Sequence, residues 1–227
     1  GDSEMELVNI RDIFRDQKKY ENTEVTIGGW VRSNRSSKNF GFLVINDGTF
    51  FEPIQVVYSD GLANFAEIEK TNVGAALIVR GQLVPTPEAK QPFEIQAAEV
   101  TVEGASTPDY PLQKKRHTFE YLRTISHLRA RTNLFNAVFR VRSVAAMAIH
   151  SYFQGQGYVY VHTPLITCAD CEGSDQMFKI TTLNMQNPPL NEDGTVDYSK
   201  DLFGKQSFIT GSGQLQGETY AMAFGDI

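Results

Sequence analysis

Cysteine is almost absent from this chain of 227 residues: there are two, Cys168 and Cys171. Two cannot build the disulfide framework of a small secreted scaffold. Long apolar runs are missing as well, since no stretch reaches the roughly 18 apolar residues that a membrane-spanning helix needs. The opening Gly1-Asp2-Ser3-Glu4 is polar and acidic, unlike a secretory leader. Together these absences set the expectation of a reducing, cytoplasmic protein with no membrane partner. An excess of positive charge is lacking too: 21 Lys and Arg face 27 Asp and Glu, a net charge of −6. That argues against a general polyanion binder and against DNA as a partner.

What is present is a core-forming composition. Hydrophobic residues make up 41% of the chain and aromatics 11%, enough to fill the interior of a globular protein. The length suits two domains. Charge is distributed unevenly. Between Pro111 and Arg142 lie Lys114, Lys115, Arg116, Arg123, Arg129, Arg131, Arg140 and Arg142, with Glu120 as the one acid. This cationic stripe in an acidic chain is suited to a phosphate backbone, or else is a solvated hinge and helix face.

The first part of the chain alternates like a small β-barrel. After an amphipathic lead-in (Leu7, Ile10, Ile13, Phe14), strand-like runs are expected at Val25–Ser33, Phe40–Asn46, Ile54–Tyr58, Ala75–Val84 and Phe93–Val102. A short helix is expected at Leu62–Lys70, between the third and fourth runs. Five strands with one helix in that place is the chain order of an OB-fold barrel, which binds single-stranded nucleic acid on its second and third strands. The first loop offers Arg32, Arg35 and Lys38 to phosphates. Phe42 could stack an unpaired base, or be an ordinary core phenylalanine. Gln55, inside the apolar run Ile54–Val57, has both a donor and an acceptor with which to read a base edge.

The stretch Thr132–Thr167 predicts one long helix with Leu134, Val138, Val141, Ala145, Ile149 and Tyr152 on one face. Thr132 or Asn133 is placed to cap it, Gly155 and Gly157 to end it, and Tyr158–Val161 to form a strand that stops at Pro164. The order long helix, glycine turn, GYVYV, Pro164-Leu165-Ile166 resembles motif 1 of the class II aminoacyl-tRNA synthetases. In the same chain, GGWVRSNRSSKNFGFLVINDG followed by IQVVY resembles the anticodon-binding domain of the aspartyl, asparaginyl and lysyl members. That resemblance implies a homodimer with Pro164 at its interface. It also implies an anticodon site in which Phe42 stacks on a central uridine while Gln55 and Glu94 bond to it, with Arg32 and Arg35 nearby.

The resemblance continues past Pro164. The pair Cys168 and Cys171 could be read as a zinc or redox motif, but a zinc site needs about four ligands and no second pair exists, so free thiols and no metal are expected. The following Glu172-Gly173-Ser174 is similar to the family segment whose acid holds the substrate ammonium. A polar insertion is expected over Leu183–Lys205. The run GSGQLQGET then resembles the asparaginyl members and implies an amino-acid pocket built from Glu172, Ser212, Gln214 and Glu218. A glutamate at 218 accepts from a carboxamide and repels a carboxylate, although it could instead be a helix N-terminal acid.

The implied fold class is α+β: an OB-fold barrel and lead-in at 1–105, a hinge at 106–131, and the first part of an antiparallel class II catalytic domain at 132–227. The implied activity of a whole family enzyme is ATP- and Mg²⁺-dependent activation of asparagine and its transfer to tRNA(Asn). The arginines of motifs 2 and 3, which complete that chemistry, are not expected within this chain. An aspartyl-type ligase, or an RNA-binding module without catalysis, are the other readings.

Overall fold

The structure, a computed structural model, describes residues 6–169 and 177–227. The chain divides into two units, Gly1–Val141 and Arg142–Ile227, and each is described by itself.

The first unit is built on strands β1 (Glu24–Ser36), β2 (Phe40–Asn46), β3 (Ile54–Ser59), β4 (Ala76–Pro85) and β5 (Phe93–Gly104). They close into a barrel in the order β1-β2-β3-β5-β4, with β4 returning to β1. The pairings are antiparallel except β3 with β5, which is parallel. Each strand alternates. Val25, Ile27 and Val31 of β1, Leu43 and Ile45 of β2, Ile54 and Val56 of β3, and Leu77 and Val79 of β4 are fully buried, with their neighbours turned outward. Buried apolar area is the main source of stability in such a barrel.

Two short elements plug the barrel. Helix α1 (Ile10–Arg15) buries Ile10 and Ile13, and Phe14 packs on Phe50 and Phe93 with ring centroids 4.8 Å apart in each case. Its first N–H, on Ile10, is accepted by Asp47 Oδ2 at 2.8 Å, so the Asp47-Gly48 turn caps it. A one-turn helix α2 (Gln17–Tyr20) follows. Helix α3 (Phe65–Glu69), between β3 and β4, inserts Ile68. The expected lead-in helix is thus two short helices broken at Asp16, and the expected strands and the inserted helix all form.

One irregularity matters for the site. The β1–β2 register runs Val31↔Ile45, then Ser33↔Val44. Arg32 is the extra residue of a β-bulge. Beyond it Asn34, paired with Leu43, turns inward, donates to Ile68 O at 2.8 Å and accepts from Tyr58 Oη at 2.9 Å. The Tyr58 hydroxyl is pushed up from its ordinary pKa, mainly by burial.

The rest of this unit includes helix α4 (Phe119–Thr124), capped by Thr118 Oγ1, which accepts from Tyr121 N. Helix α5 (Asn133–Gly155), the long helix predicted, starts in the first unit and continues past Val141 into the second; Thr132 Oγ1 accepts from Phe135 N at its start. Gly157 just past its end adopts φ +92°, a conformation that favours glycine. None of its side chains is buried: Val144 is 70% exposed and Tyr152 64%.

In the second unit, β6 (Ile166–Thr167), β7 (Lys179–Ile180) and β8 (Ser207–Ile209) form a small antiparallel sheet in the order β6-β8-β7. Helix α6 (Gln214–Phe224) follows. The strand expected at Tyr158–Val161 does not form. Its propensity finds no ladder there, and Val159 N instead donates to Asp226 O at 2.9 Å. The insertion is held by aspartates that close turns on Thr195 and Ser199, and Asp201 accepts from both the N–H and the hydroxyl of Thr182 at 2.9 Å.

Candidate nucleic-acid interface

The outward residues of β1, β2, β3 and β5 form one continuous face. Arg35 stands opposite Phe42 in the ladder, and its guanidinium carbon lies 5.7 Å from the centre of the Phe42 ring. Phe40 meets the same ring edge-on at 5.5 Å. Leu43, not Phe42, points into the barrel. Phe42 is therefore half-exposed between a cation and a second aromatic, an arrangement suited to stacking a planar base.

Next along the face, Val44 pairs with Gln55, and Gln55 pairs with Glu94 across the parallel step. Gln55 Nε2 donates to Glu94 Oε2 at 2.9 Å. An amide and a carboxylate side by side, within one strand spacing of an exposed ring, can satisfy the donors and acceptors of a base edge. The register of β5 is what brings Glu94 to Gln55.

Arg32 goes elsewhere. As the bulge residue it leaves the Phe42 face, and its Nη2 donates to Asn133 Oδ1 at 2.8 Å. It lines a groove of about 830 Å³ with Trp30, Tyr110, Lys114, Lys115, His117, Arg131 and Asn133. Burial lowers the pKa of its guanidinium, with the Tyr110 phenol acting the other way. The sequence reading missed this groove. Its signal was available in part, because Lys114, Lys115 and Arg131 belong to the acid-poor stretch; Trp30 and Tyr110 carried none.

In the second unit, Ser212, Gln214 and Glu218 are neighbours at the start of α6. Gln214 N donates to Ser212 Oγ at 3.3 Å, and Gln214 Nε2 to Glu218 Oε1 at 3.1 Å. Gln214 and Glu218 are exposed. The turn before them is tight, since a Cβ on Gly213 would lie 2.6 Å from Thr163 Oγ1. Pro164 is exposed, and Thr210 N donates to the carbonyl of the adjacent Leu165 at 2.9 Å. Glu172 and Cys171 lie outside the described residues; Cys168 is a free, exposed thiol.

Residues 25–103 match the model of the OB-fold nucleic acid binding domain, and residues 119–215 that of the class II tRNA synthetases (D, K and N). The asparagine–tRNA ligase of Acetivibrio thermocellus is 58% identical over 224 residues, 98% of this chain and 48% of that protein. Residues 119–215 belong to the class II tRNA synthetases of the D, K and N group.

Other members agree with that placement. The asparagine–tRNA ligase of Alkaliphilus oremlandii is also 58% identical, over 98% of this chain and 48% of its own length. The chain thus spans about half the length of the curated relatives it matches. The fold is that of the asparaginyl-tRNA synthetase of Pyrococcus horikoshii complexed with asparaginyl-adenylate: TM-score 0.77 at 20% identity, over 97% of this chain and 46% of that one. A closed barrel and a second, three-stranded sheet lie within the regions that the two family models match.

Proposed function

We propose that this chain is the anticodon-binding and dimer-forming part of an asparagine–tRNA ligase. The whole enzyme joins the carboxylate of asparagine to the α-phosphorus of ATP, releasing pyrophosphate. It then passes the acyl group to the terminal adenosine of tRNA(Asn), releasing AMP. The observation that carries this reading is the 58% identity to asparagine–tRNA ligases over 98% of the chain.

The geometry supports a division of labour. Phe42 stacks the central anticodon base, with Arg35 behind it, and Gln55 and Glu94 read its edge. Arg32 serves the RNA from the neighbouring groove. Glu218 receives the substrate carboxamide: it already accepts from the same chemical group, the amide nitrogen of Gln214. Ser212, Gln214 and Glu172 complete the pocket, with the Glu172 carboxylate taking the α-ammonium. Two copies join through the exposed apolar side of α5 and the segment at Pro164. Apolar side chains such as Val141, Val144, Met147 and Ile149, each at least 60% exposed, demand such cover. Among the described residues no three or more His, Cys, Asp or Glu side chains converge as a metal site; Mg²⁺ would accompany ATP through its phosphates.

The test is pyrophosphate exchange by the complete enzyme with each amino acid in turn. Exchange driven by asparagine is expected; exchange driven by aspartate or lysine in its place would reject the reading. A second reading, an RNA-binding module without catalysis, draws on the first unit, which holds the described apolar core. The 227-residue chain alone is expected to bind tRNA(Asn) and to show no exchange.

A further inference from the structure

The groove beside β1 has an electrostatic peculiarity. Its lining includes Arg32, Lys114, Lys115 and Arg131 but no aspartate or glutamate, although the chain as a whole has 27 acids against 21 bases. Arg32 is half-buried there and makes no ion pair among the described residues; its described partner is the neutral amide of Asn133. Arg131 donates to the Tyr110 hydroxyl at 3.1 Å, and its guanidinium lies 6.0 Å from the centre of the Trp30 ring. Removing a guanidinium from water without a carboxylate is costly. Two guanidiniums around one phenol repel each other as well. Both costs vanish when an anion enters. The fork of a guanidinium matches the oxygens of a phosphate, and the half-exposed Trp30 offers a flat apolar surface next to it.

We infer that this groove is a phosphate site for a nucleotide, with Arg32 and Arg131 gripping the phosphate and Trp30 lying against the attached ring. It is separate from the base-reading face, because the bulge turns Arg32 away from Phe42. It stands apart from the choice of amino acid. The phosphate belongs either to an RNA backbone or to a free nucleotide; the chemistry is shared and the sources can be separated.

Trp30 is the one tryptophan in the chain, so intrinsic fluorescence reports on the groove directly. The 227-residue chain is titrated with inorganic phosphate, with uridine 5′-monophosphate and with an anticodon stem-loop RNA. A saturable change in Trp30 emission with the nucleotide, reversed by inorganic phosphate, is expected. Arg32→Gln and, independently, Arg131→Gln should each weaken nucleotide binding about tenfold or more, the worth of a lost charged hydrogen bond. Displacement of the nucleotide by RNA assigns the site to an RNA phosphate; simultaneous binding of both assigns it to a free nucleotide. No emission change with any of the three up to about 10 mM, the range of weak affinity, overturns the inference. So does unchanged affinity in both folded variants.

Discussion

Gln55 on β3 gives a side-chain N–H to Glu94 on β5, 2.9 Å away, across the parallel pairing of the two strands. An amide so committed holds its carbonyl oxygen on the opposite side, toward whatever lies over the sheet. An outward acceptor favours a base with a ring N–H, as uracil has, over cytosine, whose corresponding nitrogen is itself an acceptor. Glu94→Ala frees the amide to turn over. It should reduce the preference for a central uridine over cytidine by about 1–3 kcal/mol, measured by competition between two anticodon stem-loops. A preference that survives intact would show that Glu94 does not set it.

Phe42 and Leu43 are adjacent in sequence and opposite in role. Phe42→Ala should cost about 1–3 kcal/mol of RNA affinity, the usual worth of one stacked base, and leave the melting temperature nearly unchanged. Leu43→Ala, at a position with no solvent exposure, should do the reverse and cost about 2–5 kcal/mol of stability. Thermal melts and RNA titrations on both variants check the pair.

Asp201 gives the second unit a pH dependence. The Thr181 side chain first, and then the Thr182 backbone N–H, hold its carboxyl at about 2 instead of the usual 3.8. A lowered carboxylate pKa stabilises the fold fully above the unfolded value, and that contribution disappears as pH falls through the folded one. Protection of the amides of Thr182 and Leu202, both donors to this carboxylate, should therefore fall between about pH 4 and pH 2. Asp201→Asn should flatten that dependence. Hydrogen exchange across the range checks it, and equal slopes in both proteins would assign the effect to another group.

Gly81 sits where β4 and β5 shift register, and a Cβ there would collide with the Gln96 carbonyl oxygen. The obstacle is backbone and cannot rotate away. Gly81→Ala should destabilise the barrel by about 1–3 kcal/mol or more, read from chemical denaturation. By contrast, Gly48→Ala meets no neighbour, and its penalty should come from the φ of +80° alone.

The barrel was legible because its strands alternate strictly, and alternation is imposed by a core on one side and water on the other. Phe42 was harder to place: a phenylalanine among apolar neighbours fits either side of a strand, and it took pairing with Arg35 to turn it outward. Arg32 was expected in the first loop, beside the anticodon site, but β1 runs on to Ser36 and makes Arg32 a bulge residue; a bulge carries no mark in the residues that form it. The strand expected at Tyr158–Val161 failed for a related reason. Valine and tyrosine favour extended backbone, but a strand exists only where another supplies its hydrogen bonds. Ser212, Gln214 and Glu218 meet at a helix start, and the contact of the last two follows from their i, i+4 spacing.

The bulge at Arg32 fixes how this strand can be edited. Remove that one amino acid and Val31↔Ile45 runs straight on to Ser33↔Val44, an unbroken ladder in which Asn34 keeps Ile68 and Tyr58 and Arg35 keeps its outward side. Remove Ser33 as well and the following segment trades inside for outside: Asn34 swings into solvent and the charge of Arg35 is driven into an oily interior. The extra residue is thus a spare that absorbs the loss of one amino acid but not of two. Any viable shortening of this stretch should therefore be by an odd count.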